Sequence, residues 1–372
     1  MANSNLTEAK RAKNDEFYTQ YADIEKEITA YLEFNPDVFR GKTMLLPCDD
    51  PEWSNFTKYF AQNFDRFGLK KLISTSYAAE SKKYKNGYQP TLFETRAPYY
   101  DKIKTKKNGK IFTLSHDKTG DHKINVDDLE WHYLEGDGDF RSAEIKKLRD
   151  EADIIITNPP FSLFREFLAW IMEAEKQFVI IGSLSAITYK EIFPLIKNDK
   201  MWMGNGFYAG NAFFSTPFAK EYGDGIYNPE TGLVKFRNVC WFTNLDHGRR
   251  HKPLKLMTMA DNFRYSKHKE IKGKKSYDRY DNYNAIEVPF TDSIPSDYAG
   301  VMAVPVSFLD KYNPEQFEIL GVTQRNDDPY KTKQYTTADY PNANDLNARG
   351  VIIVGGKPKA MYARVLIRRK KK

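Results

Sequence analysis

Short apolar runs separated by amphipathic stretches fill the first 245 residues of the chain. The apolar runs have the length of strands and lie at 42–47, 70–75, 130–134, 153–158, 177–183, 200–204 and 238–245. Between several of them, apolar residues recur at helical spacing, for example within 162–176. This alternation predicts an α/β fold with a doubly wound, mostly parallel sheet that binds ligands at the C-terminal ends of its strands.

The rhythm of the pattern changes in two places. Residues 80–130 are polar and rich in Lys, Tyr and Asn, which predicts a surface insertion with a small hairpin. After about residue 250 the strand–helix alternation fades, so we expect a catalytic domain over 1–250 and a loop-rich α+β module over 251–372. The end of the chain predicts a hairpin around Gly355-Gly356, followed by a basic tail.

Composition limits the cellular setting. No run of 18 apolar residues exists, so no membrane span is expected. The polar N-terminus lacks the apolar core of a signal peptide. The chain has only two cysteines, Cys48 and Cys240, which fit a reducing compartment. We therefore expect a cytoplasmic protein.

The positive charge is concentrated in one segment. The net charge is +7, and residues 249–275 hold ten Lys or Arg against two acidic residues. This basic segment also carries Phe263 and Tyr265, and cations interleaved with aromatic rings suit a polyanion such as nucleic acid. The alternative is a solvated, lysine-rich loop.

The stretch "DIIITNPPFSLFREFL" at 153–168 ends an apolar strand with two prolines. Proline lacks an N–H and has a fixed φ, and it holds the preceding residue extended. The side-chain oxygen of Asn158 and the carbonyl of Pro159 are then two acceptors at a fixed separation, and Phe161 offers a ring for stacking. The turn suits a planar heterocycle with an exocyclic amine, although a strand terminator without function is the simpler interpretation.

Such a turn could activate a poor nucleophile. The lone pair on adenine N6 is delocalised into the ring, and binding both N–H bonds to fixed acceptors favours a more tetrahedral nitrogen that can attack. Stacking on an aromatic ring stabilises a bound base by roughly 1–3 kcal/mol.

Asn158-Pro159-Pro160-Phe161 resembles the catalytic motif of amino-methyltransferases that use S-adenosylmethionine, D/N/S-P-P-Y/F. Together with "EAKRAKNDEFYTQYADIEKEI", "CDDPEWSNFTKYFAQNFDRFGLKKLI" and the closing "YARVLIRRK", the chain resembles the EcoRI-type adenine-specific DNA methyltransferases. The resemblance implies a Rossmann-like sheet of seven strands and a bacterial or phage origin.

The same resemblance implies a set of cofactor contacts. Near the methionine end of the cofactor we expect Phe17, Tyr18, Thr19, Pro47, Cys48, Asp49 and Asp50. In "EGDGDFRS", Asp139 would accept from the amino group of the cofactor's adenine and Phe140 would pack on its ring, with Asp137 as the alternative to Asp139. Simple packing for Phe17 and Asp-capped or glycine turns for the acids are the competing interpretations. No acidic residue directly follows the second strand, so the ribose ligand stays open, with Glu80 several residues on.

The resemblance further implies N6 methylation of an adenine flipped out of double-stranded DNA, with GAATTC as the candidate site. We expect phosphate contacts from Arg249, Arg250, Lys252, Lys255, Lys267, Lys269, Lys272, Lys274 and Lys275. We expect the protein to bind double-stranded DNA as a monomer. We also expect it to be paired with a restriction endonuclease of the same specificity. The alternatives are amine methylation of RNA, cytosine N4 or protein glutamine, and an inactive DNA-binding relative.

Other chemistries have little support in the sequence. His247 and His251 have helical spacing, but no cysteine pair stands near them, so we expect no metal. No nucleophile elbow of a serine hydrolase and no phosphate-binding P-loop is present. The glycine-rich stretch 204–214 is either an active-site loop beside the base or an ordinary loop.

Overall fold

The computed structural model describes residues 17–51, 53–78, 92–207, 211–216, 218–324 and 328–370. The chain divides into two compact units. The first unit consists of residues 1–184 and 203–247, and the second consists of residues 185–202 and 248–372. Within the described residues no helix is long and apolar enough to span a bilayer.

The helices are short apart from the first. In chain order the described residues form α1 (Tyr21–Phe34), α2 (Asn55–Gln62), α3 (Phe64–Phe67), α4 (Leu92–Thr95), α5 (Lys104–Lys107), α6 (Ala143–Glu151), α7 (Phe164–Glu173), α8 (Phe193–Lys197), α9 (Met259–Tyr265) and α10 (Ala343–Asn347).

The strands fall into four sheets. In chain order they are β1 (Tyr18–Thr19), β2 (Thr43–Leu46), β3 (Lys71–Ser76), β4 (Lys110–Leu114), β5 (Glu130–Tyr133), β6 (Ile154–Thr157), β7 (Gln177–Ser183), β8 (Trp202–Met203), β9 (Asn211–Ser215), β10 (Tyr227–Asn228), β11 (Leu233–Arg237), β12 (Val239–Thr243), β13 (Ala285–Glu287), β14 (Val301–Pro305), β15 (Phe317–Val322), β16 (Val351–Val354), β17 (Lys357–Ala360) and β18 (Arg364–Arg369).

The largest sheet has eight strands in the order β5-β4-β3-β2-β6-β7-β12-β8. Its centre is parallel, because β3, β2, β6 and β7 pair in the same direction. Every residue of β2 and β6 is buried, as expected for strands covered on both faces. The apolar runs therefore correctly predict the parallel centre of an α/β sheet.

Two features of the predicted sheet are wrong. The sheet has eight strands instead of seven, and it is mixed instead of mostly parallel, because β4, β5 and β12 are antiparallel to their neighbours. Part of the predicted surface insertion supplies the extra strand. Residues 110–114 form a hairpin with the predicted strand at 130–133, and this hairpin pairs with β3 and extends the main sheet. β4 has three apolar residues of five, but it lies in a polar, lysine-rich stretch.

A small sheet in the first unit holds the start of the described chain. Its strand order is β1-β9-β11-β10, and its three pairings between neighbouring strands are antiparallel. Tyr18 pairs with Ser215 and Thr19 pairs with Phe214. This pairing fixes the backbone of residues 18–19.

The second unit contains a four-stranded sheet in the order β13-β14-β18-β15 and the hairpin β16-β17. The hairpin prediction is confirmed, since Gly355 and Gly356 form its turn at φ +57° and +77°. The closing residues differ from the predicted basic tail, because 364–369 form the strand between β14 and β15. Arg364 is held there by a bidentate ion pair with Glu287, so this part of the basic end is structural.

Candidate active site

The site lies where the order of the main sheet reverses. β2 has β3 on one side and β6 on the other, which makes the C-terminal ends of β2 and β6 a topological switch point. The hydroxyl of Thr157 donates to the carbonyl of Pro47 at 2.7 Å and ties the two strand ends together. The turns at 47–50 and 158–161 therefore meet at the edge where ligands bind in such sheets.

The Asn-Pro-Pro-Phe turn leads directly into a helix. The carbonyl of Pro160 accepts from the N–H of Leu163 at 2.9 Å, which starts a 3₁₀ turn over 161–163 that continues as α7. Gly182 permits this geometry, because a Cβ there would lie 2.4 Å from the ring of Phe164. The close packing of α7 on β7 thus fixes the position of the helix that follows the turn.

Asn158 uses the two ends of its amide differently. Its Nδ2 donates to the main-chain carbonyl of Phe17 at 2.6 Å. Its Oδ1 is buried and accepts no hydrogen bond from any residue that the structure describes. Because the nitrogen is held by an acceptor, the orientation of the amide is determined, and the oxygen remains as a buried acceptor at the site.

A small pocket forms beside this oxygen. It is lined by Phe17, Tyr18, Cys48, Asp49, Asn158 and Pro160. Six residues that the sequence predicts as catalytic or cofactor-binding are thus brought together. The pocket has a volume of about 10 Å³, room for about one water molecule, so a larger ligand enters only when side chains at its rim move.

Residues 17–19, which we call the strap, run along the pocket. The Nδ2 of Asn55 donates to the carbonyl of Thr19 at 2.7 Å, and the ring of Phe17 stacks on Phe161 with centroids 5.7 Å apart. The hydroxyl oxygen of Thr19 is buried and has no hydrogen-bond partner among the described residues. The strap therefore offers a polar atom and an aromatic ring at the same site.

The loop after β2 is held by hydrogen bonds from neighbouring hydroxyl groups to Asp49. The carbonyl of Asp49 accepts from the hydroxyls of Thr57, at 3.0 Å, and Ser74. The carboxylate of Asp49 accepts from Ser54 at 2.6 Å, and Ser54 also caps the start of α2. Cys48 has a φ of +69°, a conformation in which glycine is usual. The side chains of Asp49 and Asp50 are almost fully buried at the end of the strand.

The segment 135–140 lies against the end of β3. Gly138, at φ +85°, approaches β3 so closely that a Cβ would lie 2.4 Å from the carbonyl oxygen of Ser76. The carbonyl of Asp137 accepts from the N–H of Ala78 at 2.8 Å. Glu80, considered for the ribose, lies outside the described residues. The buried hydroxyl of Ser76 has no hydrogen-bond partner among the described residues and marks a polar position that the sequence did not reveal.

Asp139 and Phe140 make contacts of their own. Arg141 donates to the carboxylate of Asp139 at 2.6 Å, and this hydrogen bond raises the pKa of Arg141 above its usual range. The ring of Phe140 is buried and packs edge-on against Phe167 and Trp170. Phe140 therefore serves the core in this structure, and of the pair only Asp139 offers a polar atom.

The glycine-rich loop is anchored by a buried acid. The carboxylate of Glu27 accepts from the N–H groups of Asn205, at 2.9 Å, and Gly206, at 3.0 Å, and from the hydroxyl of Tyr31. Burial, followed by the charge of Glu27, raises the pKa of Tyr31 well above its usual value. Residues 208–210 lie outside the described part of the chain, so a role of this loop beside a base stays a prediction.

Comparison with known proteins decides the family. The family described as adenine-specific methyltransferase EcoRI matches residues 5–370. The chain belongs to this EcoRI-type methyltransferase family. It is 43% identical to the Type II methyltransferase M.EcoRI of Escherichia coli over 86% of this chain and 89% of that protein. The resemblance stated from the motifs is thereby confirmed, and the chain is an adenine-specific DNA methyltransferase.

Two further relatives cover almost the whole chain. The Type II methyltransferases M.MgeORF184P of Mycoplasma genitalium and M.MpnI of Mycoplasma pneumoniae are each 32% identical to it, over 97% of both chains. No solved structure matches the chain. The relatives therefore support the family and its activity, whereas the geometry of the site comes from the structure described here.

The basic segment 249–275 of this methyltransferase lies in the second unit and is divided between exposed and engaged side chains. Lys252, Lys255, Lys269, Lys272 and Lys275 are exposed, and the structure shows no ion pair for them among the described residues. Four others form ion pairs: Arg249 with Asp310, Lys267 with Asp292, Lys274 with Asp278, and Arg250 with Asp199.

Arg250 differs from the others because it is buried. Its guanidinium lies 3.9 Å from the ring centroid of Trp202, and its side chain is only 8% exposed. The guanidinium of Arg250 is thus stacked on an indole and paired with a carboxylate inside the second unit, whereas its neighbours in the segment are exposed or paired at the surface. The sequence could not separate Arg250 from its exposed neighbours, because its partners lie about 50 positions earlier in the chain.

Proposed function

We propose that the Asn158 pocket binds the target adenine after it leaves the stack of double-stranded DNA. The observation that carries the proposal is the buried Oδ1 of Asn158, an acceptor without a hydrogen-bond partner among the described residues. Asn158 Oδ1 and the carbonyl of Pro159 would accept the two hydrogens of the N6 amine. Phe161 would stack on the base, and Pro160 would keep the turn rigid.

This arrangement activates N6 by geometry. With both N–H bonds directed at fixed acceptors, the nitrogen lone pair is turned away from the ring and toward the methyl donor. The turn supplies preorganised dipoles, so no covalent bond to the enzyme and no metal is needed. Because the volume of the pocket is small, side chains at its rim would have to move to admit the base.

We propose S-adenosylmethionine as the cofactor, and it supplies a methyl group on a sulfonium centre. The residues fit its polar groups. The carboxylates of Asp49 and Asp50 would bind its ammonium group, and Thr19 would donate from its unpartnered hydroxyl. Phe17, Tyr18, Pro47 and Cys48 would complete the contacts at the methionine end.

At the nucleoside end of the cofactor we propose fewer contacts than at the methionine end. Asp139, with Asp137 as the alternative, would accept from the amino group of the cofactor's adenine. Ser76 lies at the end of β3 with a buried, unpartnered hydroxyl, and we add it as a donor or acceptor for the ribose. Phe140 is left out as a direct contact, because its ring packs against Phe167 and Trp170.

The second unit is proposed to bind and read DNA. The exposed lysines of the basic segment would contact phosphates, so binding should weaken with salt. We propose that the recognition module consists of residues from about 251 to 372 together with residues 185–202, which belong to the same compact unit. The 43% identity to M.EcoRI supports GAATTC as the first site to test.

The proposed function extends to the oligomeric state, the partner enzyme and the cellular location. The enzyme would act as a monomer, since each strand of a palindrome can be methylated in a separate event. It would share its specificity with a restriction endonuclease. Its location would be the cytoplasm of a bacterium, or of a bacterium infected by a phage that encodes it.

The proposal is tested by incubating the protein with duplex DNA and labelled S-adenosylmethionine. Nucleoside analysis should find the label in N6-methyladenine, and sequencing should place it within one short site. A parallel incubation uses a duplex that is identical except that its GAATTC site is altered, and the comparison of the two duplexes tests the sequence specificity. Label in N4-methylcytosine instead of N6-methyladenine, or no label at all, would overturn the proposal.

A further inference from the structure

The strap does more than line the pocket, because it holds one end of the catalytic amide. Asn158 donates from Nδ2 to the carbonyl oxygen of Phe17 at 2.6 Å, and this leaves Oδ1 as the end available to a ligand. An amide is suited to this position since one end is a donor and the other an acceptor. A carboxylate has acceptors only, and one of its oxygens would face the Phe17 carbonyl.

We propose that the main-chain carbonyl of Phe17 is a positioning group for Asn158, and that it makes this enzyme depend on a hydrogen-bond donor at position 158. The inference rests on the proposed function, in which Asn158 Oδ1 accepts from the target amine. It goes further by assigning a role to a backbone atom of the cofactor-side strap.

The carbonyl can do this only if the strap cannot move away, and the strap is held from several sides. Tyr18 and Thr19 pair with β9, and Asn55 donates to the carbonyl of Thr19. The ring of Phe17 is only 5% exposed and contacts four other rings, with centroid distances from 4.8 to 6.1 Å: Phe161, Phe214, Tyr222 and Phe236. The Phe17 carbonyl is therefore a fixed acceptor.

The substitution Asn158→Asp isolates the donor. It keeps the shape of the side chain and removes only the N–H groups while the carboxyl is ionised. Once protonated, the carboxyl can donate O–H to Phe17 and still offer an acceptor oxygen to the base. The activity lost on substitution should therefore return as the pH falls.

Several groups face the substituted carboxyl. The titratable residues that line the same pocket are Tyr18, Cys48 and Asp49, and no Lys or Arg is among the lining residues. The Asp49 carboxylate and the Phe17 carbonyl both disfavour a second negative charge, which brings protonation closer to an accessible pH.

The experiment measures single-turnover methylation of duplex DNA by wild type, Asn158→Asp and Asn158→Ala from pH 8.5 to pH 5.5. Each variant is expressed as a ratio to wild type at the same pH, and circular dichroism checks folding. For Asn158→Asp the ratio should rise by about tenfold per pH unit as the pH falls toward the pKa of the new carboxyl. For Asn158→Ala, which adds no titratable group, the ratio should stay low and flat.

Two results would overturn the inference. One is Asn158→Asp with wild-type activity at pH 8, and the other is a folded Asn158→Asp variant whose ratio does not change with pH. Either result leaves the proposed function standing if Asn158→Ala is inactive. Full activity in Asn158→Ala would instead refute the proposed role of Asn158 itself.

Discussion

The Asn-Pro-Pro-Phe turn 158–161 and the basic segment 249–275 are both predicted sites recognised by their residue types, yet their side chains have different surroundings in the structure. In the turn, two prolines and the start of α7 set the backbone locally, and a single long-range hydrogen bond to Phe17 then fixes which end of the Asn158 amide remains an acceptor. In the basic segment, the ten cations of similar appearance are divided between five exposed lysines and the exposed Arg264, three surface ion pairs and the buried Arg250. Residue type is informative where the backbone fixes geometry and much less so where distant partners choose among like charges.

The largest expected effect separates catalysis from DNA binding at the turn. Asn158→Ala removes the acceptor for the N6 amine, and we expect the methylation rate to fall by about 100- to 1,000-fold, as when one preorganised polar contact to a transition state is lost. DNA affinity, measured by fluorescence anisotropy, should change by less than about threefold, since phosphates supply most of it.

Asn244 provides a matched control in the same unit. Unlike Asn158, it bonds to main chain at both ends of its amide, accepting from Phe178 N at 2.8 Å and donating to Lys176 O at 3.0 Å, and these partners lie at the N-terminal end of β7. Asn244→Ala should lower the melting temperature and leave the methyl-transfer rate of the folded protein unchanged. Equal losses of rate in both variants would show that the effect at 158 is structural.

A smaller loss is expected at the stacking residue. Phe161→Ala removes the ring proposed to cover the target base. We expect a 10- to 100-fold loss in kcat/KM, which corresponds to the roughly 1–3 kcal/mol that one stacking contact contributes. Phe161→Tyr keeps the ring and should retain activity within about threefold. Base extrusion can be followed with 2-aminopurine at the target position, and an unchanged signal in Phe161→Ala would contradict the stacking role.

Arg250 tests the division within the basic segment. Arg250→Ala removes a cation that stacks on Trp202 and pairs with Asp199, so we expect unfolding to become easier by about 1–3 kcal/mol. Chemical denaturation measures this loss. The slope of log K for DNA against log salt should stay at the wild-type value, and a flatter slope would mean that Arg250 contacts phosphate after all.

The exposed lysines should behave in the opposite way, with the smallest effect for each residue. Single alanine substitutions at Lys252, Lys255, Lys269, Lys272 and Lys275 should leave stability unchanged within about 0.5 kcal/mol. Each lysine that contacts a phosphate should flatten the salt slope by about 0.9. Five substitutions without any change of slope would place the DNA contacts elsewhere in the chain.

The parts predicted from the sequence are those with local causes. β2, β6 and β7 are continuous apolar runs, and the turn at 158 follows from two prolines after a buried strand. β4 was missed because Lys110 and Thr113 interrupt its apolar residues, and Lys110 is nevertheless buried in the sheet. β18 was predicted as a tail since its terminal arginines mask a buried centre, Val365–Ile367, that pairs on both sides.

The site shows the same limit at the level of single atoms. Ser54 stands before an amphipathic run, a recognisable helix start, and could have been predicted as the cap that binds Asp49. The unpartnered hydroxyls of Thr19 and Ser76 could not, because burial without a partner depends on every neighbour in space. The same holds for the bond between Asn158 and Phe17, which joins residues 141 positions apart.

A structure of this enzyme bound to its duplex site and to a non-reactive analogue of S-adenosylmethionine tests the central claim most directly. The quantity to measure is the distance from the N6 nitrogen of the target adenine to Asn158 Oδ1 and to the carbonyl oxygen of Pro159. We expect both distances near 2.9 Å, about the length of a normal hydrogen bond, with Nδ2 still bonded to Phe17. A flipped base whose amine lies beyond hydrogen-bond reach of Asn158, or a base that never enters the pocket, would contradict the account.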